Sequence, residues 1–163
     1  MTTRIFAYGS MMDETEMRGR CPRAVPLGRA LLEGHQLYFP RFSQGRKCAV
    51  AGVLQNLKGS VWGRLWEVDP GDLSSLDKAE GFRPDRPKDE NSYNRVKAVV
   101  LADGNATRLV EADLYHAIPT ENPGLPSHHY LGLIIRGAAQ AELPAAYIDW
   151  LRDSATDTFS LSA

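Results

Sequence analysis

The chain has 163 residues, with 19 lysines and arginines against 20 aspartates and glutamates, and 43% of its residues are hydrophobic. That length predicts one domain with a core that needs no disulfide staples, and the near-balanced charge argues against an affinity built on neutralising nucleic-acid phosphates. No apolar run reaches the ~18–20 residues of a membrane-spanning helix, and two cysteines, Cys21 and Cys48, are too few for a disulfide scaffold.

The first strand is expected over Arg4–Tyr8, in a stretch without the pattern of a signal peptide. Free thiols in a reducing cytoplasm are therefore expected. Asp13 followed by Glu16 reads as a capping box opening a short helix over Glu14–Gly19. Strands follow over Leu27–Glu33, Gln36–Phe39 and Lys47–Leu54, with Gly34-His35 and Ser43–Gly45 as turns. Lys58-Gly59-Ser60 turns into the strongest strand, Val61–Val68, rich in β-branched and aromatic residues.

Asp69-Pro70 starts a helix that runs to about Glu80 and is stopped by Gly81. Residues 83–91 form a proline-broken, charged loop. Tyr93–Leu101 and Thr107–His116 read as paired strands, and Ser127–Ala139 and Pro144–Arg152 as helices. Residues 1–152 are read as a single domain and 153–163 as a polar tail. Strands first and helices last indicate an α+β fold rather than alternating βαβ units. Trp62, Trp66 and Trp150 all have room in one core.

No Cys-x-x-Cys or His-x-x-x-His pair occurs, so no metal site is expected. Gly-x-Gly-x-x-Gly, Walker A and Gly-x-Ser-x-Gly patterns are absent as well, which leaves nucleotide cofactors and α/β-hydrolase chemistry without support. His128 and His129 read as surface or supporting residues, and the two cysteines as small buried hydrophobes.

The informative position is Glu80. Leu73, Leu76 and Glu80 are spaced i, i+3, i+7, so the face that docks on the sheet ends in a carboxylate, with Asp77 at its border. Burial and the negative end of the helix both raise its pKa, as a general base working near neutral pH requires. The competing reading is a structural carboxylate held by a backbone amide or a neighbouring arginine. A second feature is Gly9-Ser10-Met11-Met12, between the first strand and the Asp13-capped helix. Successive amides there form a concave anion site, or the glycine simply eases a strand-to-helix connection.

These residues resemble a known family. Phe6-Ala7-Tyr8-Gly9-Ser10, Met17-Arg18-Gly19-Arg20-Cys21-Pro22, Val61-Trp62-Gly63-Arg64-Leu65-Trp66 and Leu76-Asp77-Lys78-Ala79-Glu80-Gly81 are similar to segments of the γ-glutamyl cyclotransferases. Tyr93-Asn94-Arg95, Pro126-Ser127-His128-His129-Tyr130, Gly137-Ala138 and Leu143-Pro144 extend the match over nearly all of Ile5–Leu151. The resemblance implies a small mixed β-barrel flanked by short helices. It also implies cleavage of a small γ-glutamyl substrate by that substrate's own α-amino group, giving 5-oxoproline and a free amine or amino acid.

No cofactor or metal is implied, because the nucleophile is intramolecular. Carried over, Glu80 is the general acid and base, and Tyr8, Gly9, Ser10 and Met11 hold the glutamyl carboxylate and the developing oxyanion. Tyr130 and Tyr93 line the substrate site or serve packing alone, and Arg95 pairs with Asp77. The loop 83–91 is a candidate lid. Met11 stands where the family commonly has asparagine, so backbone donors remain while a side-chain amide contact is lost. That departure motivates one alternative, a non-catalytic γ-glutamyl-ligand binding module. Another is a cyclotransferase specialised for a γ-glutamylated amine or peptide. No oligomeric state is readable.

Overall fold

The computed structural model describes the main chain of residues 1–162 and the side chains of residues 1–154. Five strands close into a barrel in the order β1 (Thr3–Ala7), β3 (Cys48–Val68), β2 (Val25–Ser43), β4 (Tyr93–Ala102), β5 (Leu109–Ala117). All neighbours pair antiparallel except β1 and β5, which meet in parallel at Ile5 and Asp113. The barrel is therefore mixed, and helices α1 (Glu14–Arg20), α2 (Pro70–Ala79), α3 (His128–Gln140) and α4 (Ala145–Ser162) flank it. The α+β, mixed-barrel expectation holds.

The long β2–β3 pair departs from the expected turns. Gly34-His35 and Lys58–Ser60 do not end strands. They lie inside β2 and β3, where the register jumps from Glu33 opposite Ser60 to His35 opposite Gln55. Glycine makes the irregularity possible: Gly34 has φ +72°, and a Cβ on Gly59 would lie 2.4 Å from the His35 carbonyl oxygen. A glycine in a strand thus marks a bulge here, not a break.

One core runs from Ile5 to Leu151, with Phe6, Met12, Met17, Trp66, Leu76 and Ile134 among its buried side chains. Of the three tryptophans only Trp66 is fully buried. Trp62 packs at the core's edge beneath the Arg29 guanidinium, and Trp150 is 46% exposed, set against Tyr147 on α4. A residue count cannot tell which face of a helix finds the barrel, and α4 turns Trp150 outward. α4 itself continues past Arg152 into the segment read as a tail, as far as Ser162.

Asp13 is fully buried and joins three elements. It accepts the Glu16 amide at 3.0 Å as the cap of α1, and its carboxylate takes two hydrogen bonds from Arg136 of α3, at 2.5 and 3.0 Å. The reciprocal half of the expected capping box is absent. Glu16 reaches across to Arg46 at 3.1 Å, and the Asp13 amide donates instead to the Ser10 carbonyl. α3 crosses the Ser10–Met12 turn so closely that a Cβ on Gly137 would fall 2.4 Å from the Asp13 nitrogen. The Arg136 hydrogen bonds hold the Asp13 carboxyl below its usual pKa. Its stabilising contribution is thus present above the unfolded carboxyl pKa and lost as pH falls through the folded one. Asp13→Ala is expected to cost about 1–3 kcal/mol through the lost cap and ion pair, measured by urea unfolding at pH 7, with the deficit shrinking in acid.

Candidate active site

α2 is built to deliver its last residue to the barrel. Asp69 caps it by accepting the Asp72 amide at 2.8 Å, and Pro70 occupies the first helical position. At the other end Gly81, at φ +71°, donates to the Lys78 carbonyl, and Phe82 donates to the Asp77 carbonyl. That double closure is a Schellman motif, and it leaves Glu80 as the C-cap residue. Leu76 is fully buried and Leu73 packs against the core, so the predicted face is the docking face.

Asp77 fastens the same turn to the barrel. Its carboxylate accepts the Tyr115 hydroxyl at 2.6 Å and Arg95 Nε at 2.9 Å, while Arg95 also pairs with Asp113 at 2.6 Å. The expected Arg95–Asp77 pair is present, extended by two residues of β5.

Glu80 lines both of two adjoining cavities, an outer cleft of about 570 Å³ and a small inner chamber of about 50 Å³. Ser10, Met11, Tyr93 and Tyr130 are likewise common to both, while Tyr8, Gly9 and Ala51 line the inner one alone. The structure therefore brings all seven candidate residues to one place. Glu80 is half-buried, and among the described residues no group donates a hydrogen bond to its carboxylate. The structural-carboxylate reading required such a donor. Burial pushes the Glu80 carboxyl up to about 7, with Asp77 adding to the rise and Arg20 and Arg46 opposing it.

Facing it is the turn after β1. Met12 and Asp13 donate to the Gly9 and Ser10 carbonyls, and as the first two residues of a 3₁₀ turn Ser10 and Met11 have amides with no acceptor inside it. Trp66 Nε1 grips the Met11 carbonyl at 3.1 Å, which fixes the turn without using those amides.

The three tyrosines differ in what their hydroxyls do. Tyr8 donates to the Tyr115 carbonyl, and Tyr93 donates to the Ala51 carbonyl at 2.6 Å. Tyr130 instead accepts the Ala51 amide at 2.9 Å, so its own hydroxyl hydrogen remains to be donated within the chamber. Burial raises the pKa of all three, so each stays a neutral phenol.

Other candidates fall outside. None of residues 83–91 lines either cavity. Asn91 ties that loop together, accepting from the Arg83 amide and Arg86 Nε and donating to Asn94, and in this structure the candidate lid leaves the cavities uncovered. Cys21 and Cys48 are buried, and burial pushes the Cys21 thiol up to about 12, away from nucleophilic use. His128 and His129 are exposed. Missed by the sequence reading is the basic wall of the outer cleft, where Arg20, Arg41, Arg46 and Lys78 come from four separate segments. Only their convergence in space makes them visible.

Comparison with known proteins agrees with this architecture. The model of the AIG2-like family matches residues 60–151, more than half of the chain. The chain belongs to that family. Among relatives of this AIG2-like protein, the γ-glutamylcyclotransferase of Mus musculus is 34% identical, over 90% of this chain and 76% of its own length. That of Bos taurus is 28% identical, over 87% and 73%. A solved γ-glutamyl cyclotransferase superposes with a TM-score of 0.81 at 25% identity, covering 93% of this chain and 87% of its own. A yeast cyclotransferase specific to glutathione shares the fold, with a TM-score of 0.63 at 12% identity and 96% of each chain covered.

The raised Glu80 pKa has a consequence for stability. A carboxyl whose pKa is higher folded than unfolded stabilises the fold fully below the unfolded value and loses that contribution as pH rises through about 7. Glu80→Gln removes the titration. Differential scanning calorimetry at pH 8 should place E80Q a few degrees above the parent, at about 2–4 °C per kcal/mol for a chain of this size. The gap should close near pH 4.5.

Proposed function

We propose that this chain is a γ-glutamyl cyclotransferase, with Glu80 as its general acid and base. The observation that carries the reading is the half-buried Glu80 carboxylate, free of hydrogen bonds, between the two cavities and beside the Ser10–Met11 amides. The curated relatives of that name, at 28% and 34% identity over most of the chain, support it.

In this reading the γ-glutamyl group enters the inner chamber and the leaving amine stays in the outer cleft. The amides of Ser10 and Met11 meet the glutamyl carboxylate, and Gly9 keeps the floor low. A Cβ at Gly9 would stand 3.2 Å from the Ala51 methyl and 3.5 Å from the Tyr130 hydroxyl. Tyr8 and Tyr93 shape the chamber with rings whose hydroxyls are bound to the main chain.

Glu80, ionised, takes a proton from the substrate's α-ammonium. The freed amine attacks the γ-carbonyl carbon, a C–N bond forms, and the negative charge on oxygen is met by the Tyr130 hydroxyl. Collapse breaks the original amide C–N bond. The attacking nitrogen gives up two protons and the departing nitrogen gains two, with Glu80 relaying both, so products are the lactam 5-oxoproline and an ammonium. No electron changes hands, and the attack is unimolecular, which supplies much of the rate.

Met11 bears on this reading through its backbone alone. Its amide and carbonyl sit in the turn whichever side chain is present, so the loss of the family's usual asparagine alters what the side chain touches and leaves the floor intact.

Incubating the purified protein with γ-glutamylalanine should release 5-oxoproline, followed by chromatography. E80Q should lose about 10²–10⁴-fold in kcat. The acid limb of kcat/KM should rise through about pH 7, the pH at which Glu80 ionises. An equally active E80Q would remove Glu80 from the mechanism, and calorimetric binding without product would make the fold a binding module.

A further inference from the structure

The outer cleft holds more positive charge than it neutralises internally. Of its four cationic side chains, Arg46 is paired with Glu16 at 3.1 Å and lies over the Tyr130 ring, 5.1 Å from its centroid. Arg20, at the end of α1, and Lys78, in the last turn of α2, have no carboxylate in ion-pair contact among the described residues. Arg41, on β2, spends its hydrogen bonds on neutral acceptors, the Ile118 carbonyl at 2.9 Å and the Ser92 hydroxyl at 3.1 Å. Its charge is therefore also uncompensated. The remaining anion of the cleft, Glu80, is reserved for the substrate ammonium in the reading above, on which this inference rests.

Three uncompensated cations from three elements around one cavity set a charge requirement on the ligand. The glutamyl carboxylate is held by the inner turn, so it does not answer that requirement. A leaving amine without a carboxylate brings nothing to the wall, and a neutral amino acid brings a single negative charge. An acidic amino acid brings two, its α-carboxylate and its side-chain carboxylate. A cleft of about 570 Å³ lies within the size range of sites that enclose such small molecules.

We infer that the substrate is a γ-glutamyl compound whose leaving group is a dicarboxylic amino acid, with the Arg20, Arg41 and Lys78 wall reading the second carboxylate. Arg41 is the half-buried member, held in place by its two neutral acceptors, and so presents its charge with little loss of side-chain freedom. Lys78 and Arg20 are exposed and act over a longer range, where salt screens them.

The test compares γ-glutamylglutamate with γ-glutamylglutamine, which has the same shape with one charge fewer, and with γ-glutamylbutylamine, which has no leaving-group carboxylate. With the full-length protein at low ionic strength, kcat/KM for γ-glutamylglutamate should exceed that for γ-glutamylglutamine by about tenfold, the worth of one charged hydrogen bond. The difference should lie in KM, because the second carboxylate is remote from the reacting bond, and should shrink as salt is added. Arg41→Gln should bring the two values together, and Lys78→Gln, separately, should narrow the gap between them. Lys78 is an exposed helix residue whose replacement leaves the fold standing, so the test survives if Arg41→Gln does not fold. Equal or reversed kcat/KM for the glutamate and glutamine compounds would overturn this inference and leave the cyclotransferase reading in place. No 5-oxoproline from any of the three would overturn the cyclotransferase reading, and the inference with it.

Discussion

A carboxylate left without hydrogen-bond donors in a half-buried position is held there by something other than itself. For Glu80 the restraint is Asp77, three residues earlier on α2. Its side chain is bound by Tyr115 and Arg95, and its carbonyl closes the Schellman turn through Phe82. Arg95 passes the restraint on to Asp113, opposite which β1 closes the barrel at Ile5. Tyr8 donates to the carbonyl of Tyr115, so the strand that ends in the Gly9–Met11 turn is tied to the same group. Barrel closure, the end of α2 and the floor of the cavity are thus one hydrogen-bonded unit. Asp77 takes these donors and Glu80 has none among the described residues, so burial, with a smaller push from Asp77 and against the pull of Arg20 and Arg46, raises its pKa toward neutrality.

The opposite wall is held by a second buried carboxylate. Asp13 caps α1 and receives Arg136, which draws α3 across the turn, and Gly137 permits that approach. α3 carries Tyr130 into the chamber, where the Ala51 amide orients its hydroxyl. The two anchors, Asp77 and Asp13, line neither cavity yet hold the Gly9–Met11 turn, Glu80 and Tyr130 in place around them. Each is an acid satisfied by an arginine from a distant element, whereas Glu80 is left unsatisfied. That contrast sets Glu80 apart from the two anchoring carboxylates.

Charge is distributed on the same logic. The inner chamber relies on main-chain amides and a neutral phenol, which need no counter-ion when empty. The outer cleft carries arginines and a lysine. The near-zero net charge of the chain hides this division, since totals average over a surface on which Arg20, Arg41 and Lys78 face one cavity and acidic residues elsewhere offset them.

Much of the site was legible in the residues, for local reasons. The Leu73, Leu76, Glu80 spacing put a carboxylate on a docking face. Asp69-Pro70 and Gly81 bounded the helix, and Gly9-Ser10 marked a turn beside a capped helix. The α+β class followed from the order of strands and helices. Each depends on neighbours within a few positions in the chain, where geometry is set by backbone and period. Whether Glu80 had a donor, which tyrosine kept its hydrogen, whether residues 83–91 covered the cavity and that Arg41, Arg46, Arg20 and Lys78 shared one wall were settled only by tertiary structure. So was the fate of Gly34 and Gly59, which read as turns but became bulges once β2 and β3 paired along their length. These outcomes join residues far apart in the chain, such as Tyr130 with Ala51 and Asp77 with Tyr115, and such pairings are decided by the closure of the barrel, which no local period encodes.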